Sequence, residues 1–262
     1  MYKIIDVHVH LQTKSSHLDM PKEAQVSLDL MDRNGIDHAI VFPKVGFGDP
    51  EGIKDMAQMH DMIVKVAENH SDRFLRVLAQ VEPRYGNAGL DEVDRVFTEL
   101  GVAGLMFHND FFGTPIKSER MYNLVQRASK YPDAVIALHT AIHSFLEPPF
   151  MAMDLIKSFP QMSFIMIHPM MNRTHFLATA QVAKECPNVC VDTCMATNHD
   201  FVIEEAVELI GADRILFGTD NPSFREIGYC PDKHIIEAAL ISEADKERIF
   251  SENAKRLFKL DI

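Results

Sequence analysis

Several features are scarce or missing in this sequence, and each absence removes a class of protein. Cationic residues are in deficit: 26 Lys and Arg stand against 38 Asp and Glu, a net charge of -12. An acidic surface of this kind argues against nucleic acid as a main partner, because phosphate binding needs clustered Lys and Arg. It leaves an anionic small substrate open, since a few cations in one pocket override net charge. No apolar run reaches the roughly 18 residues of a membrane span, and residues 1–10 alternate as a strand rather than as a secretion signal. A cytoplasmic, soluble protein without a membrane partner is therefore expected. The 4 cysteines, Cys186, Cys190, Cys194 and Cys230, form no C-x-x-C pair and match no common zinc-finger spacing. They read as buried thiols in a reducing compartment. No low-complexity linker or break in composition divides the chain, so residues 1–262 are expected to form a single domain.

What is present is a rhythm. Short β-branched or aliphatic runs over 4–7, 39–42, 74–81, 102–107, 134–138, 163–167, 189–192 and 214–217 alternate with amphipathic, helix-length stretches over 24–34, 53–69, 90–100, 119–130, 150–159, 175–185 and 201–210. Two more helices, over 233–240 and 243–257, finish the chain. Gly35 and Gly101 stand just past their helices, where a left-handed residue ends the last turn. Strands separated by helices imply right-handed crossovers and a parallel sheet. Eight such units predict an α/β fold, a (β/α)8 TIM barrel with an extra C-terminal helix, and 262 residues suit a barrel of about 250. A doubly wound open sheet is the alternative. The glycine- and proline-bearing stretches 44–54 and 110–118 read as rim loops.

In a barrel the chemistry sits at the C-terminal ends of the strands. The first run ends on His8 and His10, the fourth on His108, the fifth on His139, the sixth on His168 and the eighth on Asp220. Core packing does not explain so many of the 13 histidines at strand ends. Two residues apart on a strand, His8 and His10 share a face. The same alternation puts Asp6 on that face but deeper, in a supporting role. Three histidines and Asp220 make a reasonable nitrogen and oxygen donor set for zinc, manganese, iron or cobalt. Such an ion lowers the pKa of bound water. Asp220 is then placed to accept a proton, and His168 to hydrogen-bond the water or polarise a carbonyl.

The ordered segments D-V-H-V-H at 6–10, A-L-H-T at 137–140, I-H-P at 167–169, G-T-D-N-P at 218–222 and N-A-K-R-L-F at 253–258 resemble the amidohydrolase superfamily, specifically its amidohydrolase-2 branch, over essentially the whole chain. The resemblance implies a barrel with a metal at the strand ends, held by His8, His10, His139 and Asp220, with His168 beside the metal-bound water. In two-metal members the fourth strand commonly supplies a carboxylated Lys or a Glu that bridges both ions. Here that strand reads Gly104-Leu105-Met106-Phe107-His108. Met106 cannot bridge hard ions, so a single divalent ion is expected, zinc first.

Catalytic roles fall to Asp220 and His168. Substrate contacts are expected from His108 and from Arg84, Arg173 and Arg225, each just past a strand and able to clamp a carboxylate. His143, His175 and His199 lie just beyond strand ends, and Met151, Met153, Met170 and Met171 offer an apolar lining. His17, His38, His60, His70 and His234 read as surface or packing residues. The leading expectation is hydrolysis of an amide, lactone or ester in a small, carboxylate-bearing substrate. The alternative is non-oxidative decarboxylation of an aromatic or unsaturated acid at the same site, with hydration of an unsaturated acid third. A metal-storing or regulatory protein without turnover is the reading from another class. A homodimer is the expected assembly.

Overall fold

Along each apolar run the side chains separate into two sets that bury in different places. On β2 (His38–Phe42), Ile40 and Phe42 turn inward while Ala39 and Val41 turn outward. On β5 (Val135–His139), Val135 and Ala137 face in and Ile136 and Leu138 face out. On β6 (Ser163–Ile167), Ile165 and Ile167 oppose Phe164 and Met166. A strand apolar on both faces is what a parallel sheet needs when helices cover its outside and its own side chains fill its inside.

The structure is a computed structural model that describes residues 3–11, 19–44, 52–196, 200–222 and 228–262. His17, His199, Arg225 and most of the 44–54 loop lie outside them. The remaining strands are β1 (Ile5–His10), β3 (Phe74–Ala79), β4 (Gly104–Phe107), β7 (Val189–Asp192) and β8 (Ile215–Leu216). All eight pair in sequence order, each parallel to the next. The ring closes where the Val7 amide donates to the Phe217 carbonyl at 2.9 Å and the His10 amide to that of Asn221 at 2.8 Å. This is the expected (β/α)8 barrel. Gly104 permits the close pairing of β4 with β5: a Cβ there would lie 2.0 Å from the Val135 carbonyl oxygen.

The helices fall close to where their patterns place them: α1 (Met20–Asn34), α2 (Ile53–Asn69), α3 (Asn87–Thr98), a short α4 (Asn109–Phe112), α5 (Glu119–Ala128), α6 (Pro149–Lys157), α7 (Arg173–Glu185), α8 (Val202–Ile210), α9 (Pro231–Ala238), α10 (Glu243–Glu247) and α11 (Asn253–Phe258). One turn, α4, forms inside the stretch read as a rim loop. The helix expected over 243–257 is α10 and α11 joined by a π-helical segment, Arg248–Glu252. Ala254, Phe258 and Leu260 join the inner cluster with Ile5 and Leu216 and floor the barrel. The Asn253 amide nitrogen donates to the carbonyls of Ala212 and Ile215 at 2.7 and 2.8 Å, tying that floor to the entry of β8.

One local departure matters for the site. Ile5 and Val7 lie in the inner cluster, but Val9 lies in the outer one, and the register of β1 on β2 shifts between Asp6 and Val9. This bulge turns His8 and His10 toward the mouth. It also breaks the alternation that would have put Asp6 on their face.

A buried ion pair outside the site fastens α2 to α3. His60 Nδ1 donates to Glu92 Oε1 at 2.6 Å, and Arg95 reaches the same oxygen at 2.8 Å. Burial works against charge on Glu92, yet His60 and Arg95 outweigh it and hold the carboxyl down at about 2, against an ordinary 4.5. Because the folded pKa is the lower one, the stabilisation is complete above pH 4.5 and is lost as pH falls toward 2. Glu92→Gln is expected to cost about 3 kcal/mol in urea unfolding at neutral pH. The gap from the parent protein should close as unfolding is repeated at decreasing pH.

Candidate active site

Each strand-end residue is held by a neighbour that fixes which ring nitrogen faces the cavity. His8 Nδ1 donates to Asp192 Oδ2 at 2.6 Å, and His10 Nδ1 donates to the Pro43 carbonyl at 3.0 Å. Both rings therefore turn Nε2 the same way, and both meet Asp220 Oδ1, at 3.3 and 3.1 Å. His8, His10 and Asp220 offer three ligand atoms within 4.8 Å of one another. Burial opposes charge on His8, but Asp192 and Asp220 push its pKa up to about 10. Burial opposes charge on Asp220 as well, and His10 and His8 overcome it, holding the carboxyl well below the usual range. Asp220 itself adopts φ 55, a left-handed backbone that Asp and Asn tolerate better than most residues.

His139 belongs to a second group. Its Nδ1 donates at 2.6 Å to Oε1 of Glu147, a fully buried carboxylate from the β5–α6 loop. His108 stacks on His139 with ring centroids 3.6 Å apart and planes 10° from parallel, and its Nδ1 lies 3.3 Å from the same oxygen. Glu147 Oε2 also accepts from the Asp110 amide at 3.1 Å, so one carboxylate joins the loops after β4 and β5. Burial would raise the Glu147 carboxyl, but the two imidazoles bring it down to about 2. These three residues form their own donor cluster.

His168 sits between the groups, its ring centroid 5.0 Å from that of His8 and 4.8 Å from that of His139. Its backbone is left-handed at φ 60, and its amide donates to Asp192 Oδ1 at 3.1 Å. Burial, and then the charge of His8, hold its pKa well below the ordinary 6.5. Beneath the site, Asp6 accepts from the His8 amide at 3.0 Å and the Thr219 hydroxyl at 2.5 Å. Burial pushes Asp6 up to about 7 despite these bonds. Gly218 makes room here: a Cβ would stand 3.0 Å from that of Asp192 and 3.1 Å from that of His8.

The remaining candidates are dispersed. Arg84 is half exposed and paired with buried Glu82. Arg173 spends both terminal nitrogens on Glu205, at 2.9 and 2.7 Å, and lies 63% exposed. Neither reaches the histidine cluster in a free state. His143 is exposed. His175 is buried, with Nε2 3.0 Å from the Thr140 hydroxyl. Met151 and Met153 on α6, and Met170 just past β6, pack with the outer shell.

Sequence reasoning passed over Asp192, Glu147 and Cys194. Asp192 carried the same signal as the others, a polar residue ending an apolar run. Glu147 carried none, since it reaches His139 only through the course of a loop. We expect Glu147→Gln, which removes the carboxylate behind the His139 imidazole, to weaken divalent-ion affinity about 10- to 100-fold. Calorimetric titration with Zn²⁺ or Mn²⁺ measures it.

The family model described as Amidohydrolase matches residues 5–260. The gamma-resorcylate decarboxylase of Rhizobium radiobacter is 51% identical over 57 residues, a stretch covering 22% of this chain and 16% of that relative. The crystal structure of 2,6-dihydroxybenzoate decarboxylase from Rhizobium matches with a TM-score of 0.73 at 22% identity, covering 100% of both chains. That of 5-carboxyvanillate decarboxylase from Novosphingobium aromaticivorans, complexed with manganese and 4-hydroxy-3-methoxy-5-nitrobenzoic acid, matches with a TM-score of 0.74 at 17% identity over 99% of this chain and 96% of that one. These comparisons correct the expectation of hydrolysis: the named relative and both solved neighbours are decarboxylases. The error has a physical source, because a strand-end histidine and aspartate set serves water activation and carboxylate binding alike.

Proposed function

This chain belongs to the amidohydrolase family, and we propose that it is a divalent-metal-dependent decarboxylase acting on a small aromatic or unsaturated carboxylic acid, with residues 1–262 working as one domain. The observation that carries the reading is the stretch of 57 residues shared at 51% identity with a decarboxylase, in a chain whose strand ends gather His8, His10 and Asp220.

The donor set fits a metal. Two imidazoles have their Nδ1 atoms occupied by Asp192 and Pro43, so both turn Nε2 toward one carboxylate oxygen. We take His8, His10, His139 and Asp220 as the ligands. Imidazole and carboxylate accept both zinc and manganese, and manganese is the ion in the 5-carboxyvanillate decarboxylase complex. When bound, the ion supplies positive charge for the substrate's carboxylate and neighbouring oxygens.

The chain's own residues supply the rest. His108 and His168 flank the ligands and hold substrate oxygens. Among the described residues, Arg84 and Arg173 have carboxylate partners already, and the imidazoles of His108 and His168 lie at the site. The carbon–carbon bond breaks, CO2 leaves, and the electron pair left on carbon takes a proton. Asp220, ionised at rest, relays that proton from solvent water, to which its side chain is 31% open. His168 stays uncharged beside the reacting carbon and adds no competing proton.

The test is a panel of ortho-hydroxylated aromatic acids and unsaturated acids with protein loaded with Mn²⁺ or Zn²⁺, following CO2 and the shortened product. In D2O the product should carry one deuterium at the vacated carbon. Absence of CO2 from every acid, with turnover of another substrate class, would overturn the reading.

A further inference from the structure

His168 is held at three points. Its backbone is fixed in a left-handed conformation that costs on the order of 1 kcal/mol or more for a residue with a side chain. Its amide is tied to Asp192. Its ring makes one described side-chain hydrogen bond, between Nδ1 and Cys194 Sγ at 3.1 Å. Cys194 follows β7, is 1% exposed, and offers its sulfur in one donor cluster with His8 and His168. Among the described residues, no other side chain is bonded to the His168 ring.

The direction of that bond decides what His168 does. A thiol is a weak donor and sulfur a weaker acceptor, whereas an imidazole lone pair accepts well. The better match has S–H donating to Nδ1. The single ring proton then sits on Nε2, the nitrogen left for the cavity. The geometry points to Cys194 as a positioning residue that fixes His168 in its Nε2–H tautomer, so that this ring presents a hydrogen-bond donor, and no basic nitrogen, to the substrate. The pair is set opposite to its neighbours. His8, His10 and His139 donate from Nδ1 to oxygen and turn Nε2 inward, where an ion can take it. Oxygen acceptors thus make three ligands, and one sulfur donor makes a substrate holder from the same residue type.

This inference rests on the decarboxylase reading for its consequence: a neutral donor suits an acid's oxygen, while a base that strips water needs the other tautomer. It rests on the Cys194 contact for its substance.

The tautomer is read directly from the ¹⁵N resonances of ¹⁵N-histidine-labelled, metal-free protein, with His168→Gln to assign the signal. The expected result is a protonated Nε2 and a bare Nδ1 in the parent chain. Cys194→Ala should give a mixed or reversed tautomer, and Cys194→Ser, which restores a donor, should return the parental signal. CO2 release should fall about 10- to 100-fold in Cys194→Ala and recover in Cys194→Ser. A protonated Nδ1 in the parent chain, or a Cys194→Ala spectrum identical to the parent's, overturns the assignment. Cys194→Ser keeps the test decisive if Cys194→Ala does not fold: parental tautomer supports the assignment and a changed one overturns it. If the tautomers come out as expected but no acid is decarboxylated, the role of Cys194 stands and the proposed reaction falls.

Discussion

Asp220→Asn should lower turnover by on the order of 10³-fold and cost the metal-free fold about 3 kcal/mol. The two halves of that expectation have separate causes. Asp220 Oδ1 is the point on which two imidazole nitrogens converge, at 3.3 and 3.1 Å. An amide in its place carries no charge to balance a cation and cannot pass a proton. Stability falls because His8 and His10 lose the carboxylate that both rings face, while the backbone is spared, its φ of 55 suiting Asn as well as Asp. Asp192 remains to hold His8. Steady-state rates, metal content and urea unfolding on one preparation separate these effects. Undiminished turnover in the variant would remove Asp220 from its assigned role.

Removing the divalent ion should abolish turnover, with recovery when Mn²⁺ or Zn²⁺ is returned. It should also destabilise the fold: an ion at 1,000 times its Kd contributes about 4 kcal/mol by mass action. Affinity should rise with pH. In the metal-free site His8 holds a proton up to about 10, because Asp192 and Asp220 outweigh burial. An ion taking His8 Nε2 must displace that proton. Below pH 10 each unit of pH should therefore raise apparent affinity about tenfold for this one proton. Calorimetry in buffers of different ionisation enthalpy counts the protons released. Equal affinity at pH 6 and pH 9 would refute the linkage.

The barrel could be read from alternation alone, since strands such as Val135–His139 are apolar on both faces and stop abruptly at a polar residue. The histidines at those stops were equally plain. The positions that hold them were less so. Asp192 ended its strand in full view, but a lone carboxylate reads as solvent-facing until a ring is seen 2.6 Å away. Glu147 has no period or motif, because loop geometry places it. Asp6 shows the reverse failure: strict alternation assigned it a face, and a single bulge in β1 removed it. The reaction was the least legible part. Ligand identity reports the metal's preferences, whereas the choice between breaking C–N and C–C bonds depends on which groups face the substrate. Those are set by hydrogen bonds such as that between Cys194 and His168.

The seam that closes the barrel, Val7 to Phe217 and His10 to Asn221, has His8 and His10 on one side and Asp220 on the other. A growing chain carries its two histidines from the start, yet has nothing to set opposite them until almost every other strand has been made. Ion capture would then be the last event of assembly and a signal that the ring is complete. A cation seated there rivets the earliest strand to the latest, so that unwinding from either end must first break the coordination. Such a protein should leave its ring intact while the ion stays, and lose first and last strands together when the ion goes.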